Sequence, residues 1–217
     1  MANKETVKRA QMIMGKLSEL YPDAATELEF STSFELLIAV ILSAQCTDVQ
    51  VNKITKKLFK NYSTPGDFAG LTPEQLALEI KGCGLFRNKS RFIVDTSKII
   101  LERYQGQVPD KREDLEKLPG VGRKTANVVL GVAFGQSTFP VDTHVHRLAQ
   151  RWGLSNGKGP EQSEKDLCQV FPEALWQRLH HQMILHGRRI CLARSPRCEL
   201  CGLIEVCPSA NNKGAPK

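Results

Sequence analysis

Apolar residues recur along this chain at helical intervals almost without a break. Between residues 4 and 20, Val7, Ala10, Ile13, Met14 and Leu17 fall on one side of a helix of roughly 3.6 residues per turn. From Phe34 to Ala44 nearly every position is apolar, the pattern of a helix buried all round. Asp48 stands where the next helix needs a cap. After it Val51, Ile54, Leu58 and Phe59 turn inward, while Lys53, Lys56, Lys57 and Lys60 turn mostly outward. Thr72-Pro73-Glu74-Gln75 reads as a helix start, with Thr as the cap, Pro in the first turn and Gln three residues on. Gly82-Cys83-Gly84 stops that helix, and residues 87–104 carry another through Ile93, Val94, Ile99, Ile100 and Leu101. No segment alternates with the period of a strand, so the pattern predicts an all-α protein.

Two glycine–proline clusters interrupt this pattern, Leu118-Pro119-Gly120-Val121-Gly122 and Asn156-Gly157-Lys158-Gly159-Pro160. The first is flanked closely by helices, a short one over Glu113–Leu118 and a longer one from Gly122 or Arg123 through Phe134. Gly120 and Gly122 permit unusual backbone angles and leave N–H groups uncovered. Successive bare N–H groups at a helix start, with Arg123 beside them, cradle an anion. The spacing predicts a helix-hairpin-helix, which holds a DNA phosphate without reading bases. A phosphate loop of the nucleotidase type needs four residues between its glycines and a preceding strand, and both are missing. The dinucleotide fingerprint fails for want of its third glycine. A plain packing corner between two helices is the structural alternative.

Ala126, Val129, Leu130 and Ala133 share one face of the second helix, which sends Lys124 to the opposite side, toward whatever the turn holds. Val128 lies on Lys124's side, placed to supply an apolar wall. The positive helix end and Arg123 favour a neutral amine at Lys124, which would make it a nucleophile. A surface lysine that binds phosphate is the other reading. Asp142, in Pro140-Val141-Asp142-Thr143-His144-Val145, sits at a helix cap, and capping alone explains an aspartate there. The same carboxylate can stabilise positive charge on a sugar or relay a proton. His144 reads as packing or a hydrogen-bond partner.

Four cysteines, Cys191, Cys198, Cys201 and Cys207, follow the spacing C-x6-C-x2-C-x5-C. Thiolates this dense in a short segment point to a metal centre that replaces a core. An iron–sulfur cluster, structural zinc and a disulfide pair all remain open on spacing alone. The chain begins without an apolar signal core and has no run long enough to span a membrane. It is therefore expected in a reducing compartment, the cytoplasm, where disulfides are disfavoured. Cys46, Cys83 and Cys168 read as small buried hydrophobes. Thirty Lys and Arg against 23 Asp and Glu give a net charge of +7, which favours a polyanionic partner.

Four strings in this order, Leu42-Ser-Ala-Gln45, Leu118-Pro-Gly-Val-Gly-Arg-Lys-Thr-Ala126, Val141-Asp-Thr-His-Val145 and the cysteine tail, resemble the endonuclease III family of base-excision DNA glycosylases. The resemblance runs from about residue 10 to residue 208. It implies a [4Fe–4S] cluster on the four cysteines and two helical domains flanking a DNA cleft. One is a six-helix domain over 24–136, with the hairpin near 118–123. The other joins 1–23 to 137–217 and carries the cluster at 191–207. It implies that Lys124 attacks C1′ of a damaged nucleotide in duplex DNA, forms a Schiff base and cleaves the strand by β-elimination, with Asp142 across the cleft assisting. Adenine-removing relatives lack that lysine and carry an added C-terminal domain, so oxidised pyrimidines are the implied substrates. Extrusion of the base leaves a gap, and Gln45 and Leu85 match positions that the family inserts into the duplex. Asp48 stands as a pocket residue or a cap. Arg188, Arg189, Arg194 and Arg197 surround the cysteine segment, where a structural cluster would hold them against phosphates. A monomer is expected.

Overall fold

The computed structural model describes residues 3–211, and the expected domain limits at residues 1 and 217 lie outside that range. All regular structure among the described residues is helical, with no strand. In chain order the helices are α1 (Lys4–Leu20), α2 (Ser33–Ser43), α3 (Asp48–Asn61), α4 (Pro65–Ala69), α5 (Pro73–Glu79), α6 (Phe86–Tyr104), α7 (Arg112–Leu115), α8 (Arg123–Phe134), α9 (Thr143–Arg151), α10 (Pro160–Val170), α11 (Trp176–Arg189) and α12 (Pro208–Asn211). They form two compact units. One is Glu27–Gln136; the other is made from the segments before and after it.

In the Glu27–Gln136 unit, α2 through α5 all start on a threonine. Thr32, Thr47, Thr64 and Thr72 each accept the N–H three residues on through their hydroxyls. Thr64 and Thr72 complete reciprocal capping boxes with Asp67 and Gln75. Each such cap stabilises its helix by about 1 kcal/mol. The cap of α3 is thus Thr47 and not Asp48, which becomes a first-turn residue where its charge suits the helix dipole. Helix α2 is buried from Phe34 to Leu42 because it has neighbours on both sides. Leu37, Ile38 and Leu42 share a core with Leu58, Phe68 and Ile93. Leu36 and Val40, on the other side of α2, pack with Val128 of α8. Val128 therefore belongs to this second core.

The other unit builds its core from both chain ends. Ile13 and Leu17 of α1 pack with Val145 and Leu148 of α9, with Trp152 just after α9, and with Met183 of α11. Cys191 belongs to the same core, and Cys201 and Cys207 pack against it. The cysteine segment contains only two short 3₁₀ turns, Cys198–Leu200 and Ile204–Val206.

Candidate functional site

The hairpin turn is held from beneath by α6. Helix α7 ends at Leu115, shorter than the spacing predicts, and a chain of turns carries the backbone on through Leu118 to Gly120. Val121 N–H donates to Leu118 O at 3.1 Å, and the buried Thr96 hydroxyl donates to Pro119 O at 2.9 Å. Gly120 has φ +76°, and a Cβ there would meet Phe92 at 2.9 Å, so both the angle and the space demand glycine. Gly122 differs. It is extended, at φ −96°, and a Cβ on it would meet nothing within 4 Å. Neither strain nor crowding inside the protein calls for glycine there. The bare backbone faces outward at the start of α8, where no side chain caps the helix. The N–H groups of a helix start favour an anion. Arg123 and Lys124 occupy the first turn, both half-buried.

Gln45 and Leu85 lie on adjoining loops of the same unit. Both are exposed, Leu85 at 55%, and both adopt left-handed angles, φ 54° and 58°. A non-glycine residue in that region is strained by roughly 1–2 kcal/mol. Such strain concentrates where function holds a side chain in place.

In the other unit, Asp142 caps α9. Its Oδ1 accepts N–H bonds from His144 at 2.9 Å and Val145 at 2.8 Å. The cap fixes the carboxylate's orientation and leaves Oδ2 outside these bonds. Burial pushes the His144 imidazole below its ordinary range, although the Asp142 charge opposes this. His144 Nδ1 lies 3.1 Å from Arg147 Nη2.

The four cysteines line one cavity of about 510 Å³. All are free thiols, as are Cys46, Cys83 and Cys168. Among the described residues, no three Cys, His, Asp or Glu side chains gather tightly enough to hold a single metal ion. Sulfurs around one zinc sit about 2.3 Å from it. An all-sulfur donor set lining one cavity fits an iron–sulfur cluster. Burial pushes the Cys201 and Cys207 thiols up, and the neighbouring cysteines add to the effect. As thiolates they would carry four like charges into one cavity, which a cationic centre would offset. The surroundings supply donors: Arg151 Nη1 lies 3.1 Å from Cys191 Sγ and 2.7 Å from Leu192 O. Arg147 donates to Cys191 O at 2.9 Å and Gly187 O at 3.0 Å. His186, pushed down to about 4 by burial, lies between Tyr21 Oη and Cys201 Sγ. Arg188 and Arg194 are exposed nearby in sequence. Sequence reasoning missed Arg147 and Arg151 in this role. Their four-residue spacing, which puts both on one side of α9, is the signal that was available.

Residues 38–173 match the model of the HhH-GPD superfamily base excision DNA repair proteins. Endonuclease III of Escherichia coli (strain K12) is 49% identical over 195 residues, covering 90% of this chain and 92% of that protein. Endonuclease III of Bacillus subtilis (strain 168) is 46% identical over 202 residues, covering 93% and 92%. A solved structure of a trapped endonuclease III–DNA covalent intermediate superposes with a TM-score of 0.91, at 43% identity and over 97% of this chain and 98% of that one. The glycine turn and the four-cysteine cavity thus stand in a chain that belongs to the endonuclease III family, DNA N-glycosylases with abasic-site lyase activity within the HhH-GPD superfamily.

Proposed function

We propose that this protein excises oxidised, ring-saturated or fragmented pyrimidines from duplex DNA and then nicks the strand through a Schiff base on Lys124. The Lys124 amine attacks C1′ of the extruded nucleotide, the C1′–N bond breaks and the base leaves with a proton. The sugar ring opens to the Schiff base. Loss of a C2′ proton then expels the 3′ phosphate by β-elimination. Asp142 stabilises positive charge developing on the sugar and moves protons in the later steps. Gly120, Gly122 and Arg123 grip a phosphate, as do Arg188 and Arg194, while Gln45 and Leu85 fill the gap left by the base. Cys191, Cys198, Cys201 and Cys207 hold a [4Fe–4S] cluster, whose contribution when bound is a cross-link that orders the basic segment around it. The enzyme acts as a monomer, in the cytoplasm, on nucleoid DNA.

The observation that carries this reading is the place of Lys124. It stands in the first turn of α8, directly after the uncapped glycine turn, in a chain 43% identical to a protein caught covalently on DNA. Borohydride reduction during reaction with a duplex containing a ring-saturated thymine tests it. A covalent adduct is expected, and none with Lys124→Ala. Base release without an adduct would overturn the Schiff base, and equal activity on undamaged duplexes would overturn the substrate class.

A further inference from the structure

Lys89 is a buried charge to which nothing above gives a role. It is 3% exposed, in the first turn of α6. Burying an ammonium is costly unless its donors are all satisfied. Here all three are used. Nζ donates to Leu42 O at 2.8 Å, to Ala44 O at 2.6 Å and to Cys83 Sγ at 3.0 Å. The Cys83 thiol in turn donates to Leu42 O at 3.1 Å. Leu42 and Ala44 lie at the C-terminal end of α2, where carbonyls lack intrahelical partners and a cation suits the dipole. Lys89 is therefore a cap for α2 supplied by another helix.

The place of that cap matters. Ala44 directly precedes Gln45. The backbone N–H of Lys89 donates to Leu85 O at 3.1 Å. One residue thus ties down the carbonyl before Gln45 with its side chain and the carbonyl of Leu85 with its main chain. The loops also touch directly, because a Cβ on Gly84 would stand 3.0 Å from Gln45 O. Gln50 Nε2 adds a bond to Gly82 O at 3.2 Å. Two strained, exposed side chains on two loops are held as one body.

We infer that Lys89 is a positioning residue that fixes Gln45 and Leu85 relative to each other, so that they enter a duplex together and hold it open. The inference rests on the assignment of those two residues as the ones that fill the gap. A rigid pair delivers its full contact energy to the opened duplex, whereas a loose pair must first be ordered. The benefit applies only where a paired base must be extruded. Misplacement on the ångström scale costs catalysis on the order of 10- to 100-fold.

The test is single-turnover base release by the full-length, cluster-bearing protein and its Lys89→Met variant, with one lesion presented in a fully paired duplex or in an unpaired bubble. Methionine keeps the stem and removes the donors. Release from the paired duplex is expected to fall by about tenfold or more, with release from the bubble and borohydride trapping on a single-stranded abasic site within about twofold of wild type. Equal losses on both substrates, or no loss on either, would overturn the inference. Gly84→Ala provides a second route if Lys89→Met does not fold, because it pushes the same loops apart with Lys89 intact. It is expected to show the same paired-selective loss, and a uniform loss would count against the inference. The Gln45→Ala/Leu85→Ala double variant separates the two levels of the argument. If it cleaves paired duplexes normally, the gap-filling assignment fails, whatever Lys89 does.

Discussion

At the scale of single residues, Asp142 is a helix cap and, in the proposed mechanism, a catalytic carboxylate, and one substitution separates the two roles. Asparagine caps as well as aspartate, since its side-chain oxygen can accept the same N–H bonds from His144 and Val145. It carries no charge. Asp142→Asn is expected to leave unfolding within about 0.5 kcal/mol of wild type and to slow single-turnover base release by roughly 100-fold or more. A variant that loses stability and keeps its rate would make Asp142 a cap and nothing else. The two hairpin glycines form a second such contrast. Gly120→Ala forces a side chain into a left-handed angle and against Phe92. It should destabilise the protein by at least about 1–2 kcal/mol in denaturant unfolding. Gly122→Ala meets no protein atom, so its stability should stay within about 0.5 kcal/mol of wild type. Its affinity for duplex DNA should nonetheless drop, because a methyl group then stands over the N–H groups offered to phosphate. Unchanged affinity with Gly122→Ala would remove this turn from the DNA interface.

At the scale of elements, Phe68 is the residue on which α4 depends. Helix α4 is a single short turn of five residues, too short to persist alone. What holds it is its capping box and the wholly buried Phe68 ring, which meets Phe34 edge-on at 5.6 Å and Tyr62 at 6.0 Å. Phe68→Ala should cost about 3–5 kcal/mol, read from chemical denaturation. A loss below about 1 kcal/mol would mean the site collapses around the cavity. The helices themselves were legible because apolar spacing is a local signal. Val7 to Leu17 gave α1, and the Thr72–Gln75 capping box gave the start of α5 with both reciprocal bonds. Local signals also misled. Thr47 and Asp48 are both good caps one residue apart, and the choice falls to the residue whose oxygen reaches Gln50 N–H. The packing of Val128 was not legible in the same way, because its partners Leu36 and Val40 of α2 lie some 90 residues away in sequence. Lys89 was invisible for the same reason. Its partners Leu42 and Ala44 lie 47 and 45 residues back, and they offer backbone carbonyls, which no side-chain pattern can reveal.

At the scale of the whole molecule, the four-cysteine cavity lies in chain that has little regular structure of its own. Beyond Arg189 the described residues contain only two 3₁₀ turns and the four-residue α12. Cys191, Cys201, Cys207 and Leu203 dock this segment on the core shared by α1, α9 and α11, and Arg147 and Arg151 satisfy its carbonyls. Those bonds orient the segment without closing it. Burial holds two of the four thiols toward their neutral, protonated form, and in the proposed reading a cationic centre draws all four out as thiolates and closes the segment. Purified protein should therefore contain about four iron and four acid-labile sulfide per chain. One equivalent of zinc with no sulfide would replace the cluster by a structural zinc site. Cys198→Ser removes a proposed ligand at a half-buried position outside the main core, so packing alone predicts little change. If the centre holds the segment, the substitution should instead lower iron content and melting temperature together, because metal binding free energy becomes folding free energy. Affinity for undamaged duplex should fall in parallel, with a shallower salt dependence, since Arg194 lies inside the loosened segment and each lost phosphate contact reduces the slope by about 0.9. A Cys198→Ser protein that lost its iron but kept both its melting temperature and its salt slope would separate the centre from folding and from DNA alike.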